Sequence, residues 1–136
     1  MPVSLSAAAR KILDGRNPAV LCTISPDGSP QSSVVWVGVD GDELVVSSQA
    51  GRRKVTNLAG EPRVSLSVFD LTDPQRYVEV RGTATVSEDV DRRTAVTLAQ
   101  KYVGPGAGQE YVALPPEVVR VTIRITPERL TGNSAV

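Results

Sequence analysis

The stretch VVRVTIRITPERLTG alternates Val119, Val121, Ile123 and Ile125 with Arg120, Thr122 and Arg124, and this two-residue period limits the fold more than any other feature of the chain. Side chains of a strand point to opposite faces in turn, so a half-buried strand gathers all four apolar residues on one face, whereas a helix would scatter them. RVSLSVFD (63–70) repeats the pattern with Val64, Leu66 and Val68 against Ser65 and Ser67. YVEVRGTATV (77–86) sets Val78 and Val80 against Glu79 and Arg81, with Gly82 marking a bulge or bend. AVLCTI (19–24), QSSVVWVGV (31–39) and ELVVSSQA (43–50) are further β-prone runs. They are separated by the hairpin signals Asp27-Gly28 and Asp40-Gly41, so the chain opens as a three-strand meander.

Three segments carry helical spacing instead. Leu5, Ala8, Ala9, Ile12 and Leu13 share a face in residues 4–14, with Ser4 as N-cap and Gly15 as terminator. Val55, Leu58 and Ala59 do so in residues 51–59, ended by Gly60 and Pro62. A third helix is expected from Ser87, as N-cap, to about Val103, with Glu88 and Asp89 in a first turn that suits the helix dipole. GPGAGQEYVALPP (104–116) reads as loop. The expectation is a mainly β, six-stranded antiparallel barrel with three inserted helices, in one domain spanning residues 1–136.

Fifteen basic and fifteen acidic residues cancel, so no global field favours nucleic acid or an anionic membrane. The chain has no histidine, which excludes Ser-His-Asp and Cys-His nucleophile systems and His-ligated metal. Cys22 alone supplies neither a disulfide framework nor a multi-cysteine metal site, and in an apolar strand it reads as a small hydrophobe. The first fifteen residues, with Arg10 and Lys11 among the apolar positions, do not read as a signal peptide, and no run approaches a membrane span. These observations imply a cytoplasmic protein without metal, nucleic-acid or membrane partners.

Against this neutral background, Arg52, Arg53 and Lys54 stand together at the start of the second helix. The backbone there already carries about half a positive charge, so each cation costs roughly 0.3–1 kcal/mol. Two readings are open. One is a bound anion, such as a phosphate ester, met by the three cations, the helix amides and the hydroxyls of Ser47 and Ser48. The other is a solvated basic face paired with Glu61, Asp70 or a neighbouring chain. Upstream, Gln31, Ser32 and Ser33 followed by Val34, Val35 and Trp36 suit the polar rim and flat face of a heterocycle, or else belong to the core.

VSSQAGRRKVTNLAGEPRVSLSV, YVEVRGTATV and the acidic-capped helix together resemble the pyridoxamine 5′-phosphate oxidase-like split β-barrel superfamily, and within it the deazaflavin (coenzyme F420)-dependent reductases of the B type. The likeness runs from Ala7 to Gly132. It implies phosphate contacts at Ser47, Ser48, Arg52, Arg53 and Lys54, with Asn57 one turn beyond, and a ring-edge strand at Gln31–Trp36. It also implies a homodimer with cofactor sites between the barrels, to which the partner lends an aromatic at the position of Tyr77. Vitamin B6 oxidation is not expected, because that chemistry uses a C-terminal arginine and histidine and this chain lacks histidine. The resemblance points to an oxidoreductase that passes a hydride from reduced F420 to a conjugated small-molecule acceptor, with FMN as the alternative cofactor and non-catalytic binding as the alternative role. No catalytic side chain is implied: the acceptor's proton comes from solvent or from Tyr77.

Overall fold

A computed structural model describes residues 1–136. The elements are α1 (Ala7–Asp14), β1 (Ala19–Ile24), β2 (Pro30–Val35), β3 (Val37–Asp40), β4 (Glu43–Gln49), α2 (Arg53–Gly60), β5 (Arg63–Asp70), β6 (Asp73–Glu88), α3 (Arg93–Tyr102), α4 (Gln109–Val112) and β7 (Arg120–Thr131). The strands form one antiparallel sheet in the order β2-β1-β5-β6-β7-β4-β3.

Seven strands replace the expected six. The run Gln31–Val39 is not one strand: it breaks at Trp36 into β2 and β3, which occupy opposite edges of the sheet. Two edges joined through a single residue force the sheet to curl into a half-barrel. The cause of the break lies far away in sequence. The Val37 amide donates to the Tyr102 hydroxyl at 3.2 Å, and its carbonyl accepts from Lys101 Nζ at 2.6 Å, so α3 side chains hold the backbone at the corner.

Alternation supplies the core as expected. Leu21, Leu44, Val46, Leu66, Val78, Val80, Ile123 and Ile125 are fully buried on the concave face, and α1 and α2 close it with Ala9, Ile12, Leu13 and Leu58. The β6–β7 register shifts between Arg81 and Gly82, where any Cβ would collide with the Thr126 carbonyl. Glycine is therefore the residue that lets β7 cross there.

Two caps differ from expectation. Ser6, not Ser4, caps α1 by accepting from the Ala9 amide at 3.1 Å. Ser87 does not cap α3, because Ser87 and Glu88 stay in β6, paired with Thr122 and Val121. Sheet pairing outweighs the local capping signal, and Asp89 takes the role: its two carboxylate oxygens accept from the Thr94 and Ala95 amides at 2.9 and 3.0 Å. Between them Asp91 and Arg92 adopt left-handed backbone, φ 60 and 55. The segment 104–116, expected as loop, contains the single turn α4. No helix is long and apolar enough to cross a membrane.

Candidate functional site

Helix α3 lies over the outer face of the β4–β7 ladder, and the space between it, the Trp36 corner and the start of α2 is a cleft of about 230 Å³. Val34, Val35, Trp36, Ala95 and Leu98 make an apolar wall, and Ser47, Lys54, Tyr111 and Arg120 the rest. Trp36 is fixed by a parallel stack on Tyr102, with centroids 5.3 Å apart and planes 6° from parallel. The Tyr102 hydroxyl also donates to the Asn17 carbonyl at 2.8 Å, which pins that ring to the loop after α1.

The polar end is cationic and has no carboxylate in contact. Arg120, on β7 opposite Gln49, donates from Nη2 to Ser47 Oγ at 2.8 Å. Its Nε is buried with no acceptor, and its guanidinium lies 4.9 Å from the Tyr111 ring centroid. None of Arg52, Arg53, Lys54 or Arg120 joins an ion pair. Burial lowers the Lys54 pKa first, followed by the charges of Arg52 and Arg120. Burial likewise lowers that of Arg120, opposed by Tyr111 and Asp89 and reinforced by Arg52. Crowded, half-desolvated cations around an unsatisfied buried N–H are complementary to an anion.

The candidate residues from the sequence do not all converge. Lys54 lines the cleft with Ser47 and with Val34, Val35 and Trp36. Arg52 is the N-cap residue of α2, exposed, and close enough to bear on both Lys54 and Arg120. Arg53 is exposed and turns towards the β1–β2 hairpin. The Asp27 carboxyl there is lowered chiefly by its bonds to Ser29, with a last contribution from Arg53. Ser48 alternates away from Ser47 onto the core face and is 5% exposed. Asn57, 3% exposed, donates to Thr23 Oγ1 at 3.0 Å, and Thr23 donates in turn to Gln31 Oε1 at 3.1 Å, so these side chains brace α2 against β1 and β2. Ser32 is exposed, while Ser33 Oγ is buried without a partner. Tyr77 lies across the sheet, paired with Phe69 and 48% exposed, away from the cleft of its own chain. Gly51, with φ 92 and open space around it, makes the turn that brings the Arg52 amide back to the Gln49 carbonyl.

Sequence reading missed Arg120 and Tyr111. Arg120 looks like one more polar residue in an alternating strand, and only its register opposite Gln49, beside Ser47, brings it to Lys54. Tyr111 had one signal, an aromatic in a glycine-rich segment.

A curled antiparallel half-barrel with a cleft at its corner, apolar along one wall and cationic at one end, defines a split-barrel protein with a candidate site for an anionic ring compound. Residues 5–133 match the pyridoxamine 5′-phosphate oxidase family, and the chain belongs to that family. It is 31% identical over 136 residues to the F420H(2)-dependent biliverdin reductase of Mycobacterium tuberculosis (strain CDC 1551 / Oshkosh), covering 96% of this chain and 89% of that protein. Among solved structures it is similar to an F420 reductase, with TM-score 0.79 and 29% identity over 90% of this chain and 94% of the other. The fold also matches a conserved hypothetical protein from Mycobacterium tuberculosis, with TM-score 0.74 and 24% identity over 95% and 84% of the two chains.

Proposed function

We propose that this chain is an F420-dependent oxidoreductase acting on a conjugated small-molecule acceptor. The observation that carries the reading is the cation cluster: Lys54 and Arg120 line the cleft with Ser47, Arg52 lies within electrostatic reach of both, and none of the three joins an ion pair, next to an apolar wall that includes Trp36. The residues fit a phosphate-bearing ring. Arg120 Nε is a buried donor without an acceptor, and Val34, Val35, Trp36 and Leu98 offer an apolar wall. Similarity to proteins named for F420 favours that cofactor over FMN.

In this reading Lys54, Arg52, Arg120 and Ser47 hold the phosphate, while Val34, Val35 and Trp36 orient the ring and exclude water from one face. The bound deazaflavin, when reduced, supplies the hydride, so the protein's contribution is binding, orientation and electrostatics. No side-chain acid or base is required of the chain.

We further infer a homodimer. The outer face of β1, β5 and β6 is covered by no helix and presents Val20, Phe69 and Tyr77, each 42–48% exposed, around a hollow that also includes Pro18 and Pro74. Val34, 73% exposed, pairs with Val20 and lines the cleft, so this apolar surface is continuous with the candidate site. A second copy seated there would border the cleft and bring its own Tyr77 near it.

Titration with oxidised F420 and with FMN, following cofactor fluorescence and that of Trp36, tests the reading. F420 is expected to bind more tightly. Failure to bind either refutes it, and tighter binding of FMN moves it to the alternative cofactor. Turnover of reduced F420 with a panel of enones, quinones and tetrapyrroles separates an enzyme from a carrier.

A further inference from the structure

Arg92 carries no carboxylate partner and sits in an unusual place. It follows Asp91 with both residues in left-handed backbone, φ 60 and 55, a conformation that L side chains rarely adopt. The effect of that turn is to aim the guanidinium at the segment between α4 and β7. Nη1 donates to the carbonyls of Leu114 at 3.1 Å and Val112 at 3.5 Å, and Nη2 to those of Pro115 at 2.8 Å and Val118 at 3.0 Å. A planar fork with several fixed donors can meet four carbonyls at once, whereas a lysine ammonium presents its donors from one point.

The gripped backbone flanks both members of the stack at the cleft. Val112 directly follows Tyr111, and Val118 stands two residues before Arg120, on which the Tyr111 ring rests. Tyr111 has no side-chain hydrogen bond of its own, so its ring position depends on the backbone beneath it. We propose that Arg92 is a positioning residue for the cleft: by clamping the 112–118 backbone it holds Tyr111 on Arg120, and so sets the guanidinium that a phosphate-bearing ligand meets. This rests on the reading of the cleft as a cofactor site.

The test uses the full chain as wild type, Arg92→Lys, Tyr111→Leu and the double variant, with thermal midpoint recorded for each. Amide hydrogen exchange over residues 109–118 is measured without ligand, and dissociation constants are measured for oxidised F420 and FMN. Arg92→Lys keeps the charge, so it separates clamping from long-range attraction. It is expected to raise exchange across 109–118 and to weaken affinity about 3- to 30-fold, the range seen when a residue acts through its neighbours. Tyr111→Leu alone must also weaken binding. In the Tyr111→Leu background, Arg92→Lys should change affinity by less than about twofold, because the element through which it acts is gone. Faster exchange with unchanged affinity, full additivity in the double variant, or unchanged binding by Tyr111→Leu overturns the inference while leaving the cofactor reading intact. A wild-type protein that binds neither F420 nor FMN overturns both.

Discussion

Replacing Lys54 with methionine separates a side chain kept for a ligand from one kept for the fold. In the free protein the Lys54 ammonium is disfavoured: burial lowers its pKa, and Arg52 and Arg120 lower it further. The unfolded chain holds the proton up to about 10.5, the folded one only to a lower pH. Below the folded value both states are protonated and the penalty is complete; above 10.5 both are neutral and it vanishes. At neutral pH, Lys54→Met therefore removes a destabilising charge and keeps most of the packing. Solvent screening keeps the gain small, so the free protein's melting midpoint should hold or rise slightly. Binding should move the other way. A charge-assisted bond to phosphate contributes about 1.5–3 kcal/mol, which corresponds to roughly 10- to 150-fold in the F420 dissociation constant. Calorimetric titration at two salt concentrations, with differential scanning fluorimetry beside it, reads both quantities. Added salt should weaken the wild type more than the variant. A midpoint lowered by several degrees with unchanged affinity would refute the reasoning and make Lys54 a structural residue.

Asp89→Ala removes both caps of α3 at once and should cost about 0.5–2 kcal/mol in urea unfolding, while Ser87→Ala, outside the helix, should cost less. Gly82→Ala drives a methyl into the Thr126 carbonyl and should destabilise by about 1–3 kcal/mol or more, read as a lower urea midpoint at constant slope. Burial lowers Lys101 to about 8, with Asp14 opposing, so between about pH 8 and 10.5 the unfolded state binds more protons and this residue makes stability rise with pH. Unfolding of Lys101→Met compared with wild type across that window should show the slope difference, and parallel profiles would contradict it.

Legibility in the sequence followed the range of the forces involved. Period-two alternation marked β5, β6 and β7 and their buried faces, because a strand's two sides are decided residue by residue; the exception is Val119, expected on the buried face of the last strand, which lies just before β7 begins at Arg120 and is 40% exposed. The Asp-Gly turns and the bulge at Gly82 were also local and also visible. The break at Trp36 was not, since the one glycine of the run from Val34 to Val39, Gly38, lies inside β3 rather than at the corner, and that corner is held by Lys101 and Tyr102 from α3. The α3 boundary was misplaced for the same kind of reason: a serine followed by two acids is a good capping signal, yet ladder pairing with β7 kept Ser87 extended. Of the candidate site, Lys54, Ser47 and the Trp36 wall were legible from composition and adjacency. Arg120 was hidden because strand register, not sequence distance, determines its neighbours.

Helix geometry explains what three adjacent cations do at the start of α2. Successive residues on a helix are about 100° apart, so neighbours in sequence cannot all face one ligand. Arg53 swings out towards Asp27, Lys54 turns into the cleft, and Arg52 stays at the cap within electrostatic reach of both Lys54 and Arg120. The charge at the cleft is therefore not that of the sequence triplet. It is assembled from two of its members and one guanidinium delivered by β7, more than sixty residues later. The consequence is testable by unequal substitutions: Arg53→Glu, which reverses a charge, should leave ligand affinity nearly unchanged, whereas Arg120→Gln, which only neutralises one, should weaken it more. The opposite order would return the site to the triplet and remove Arg120 from it.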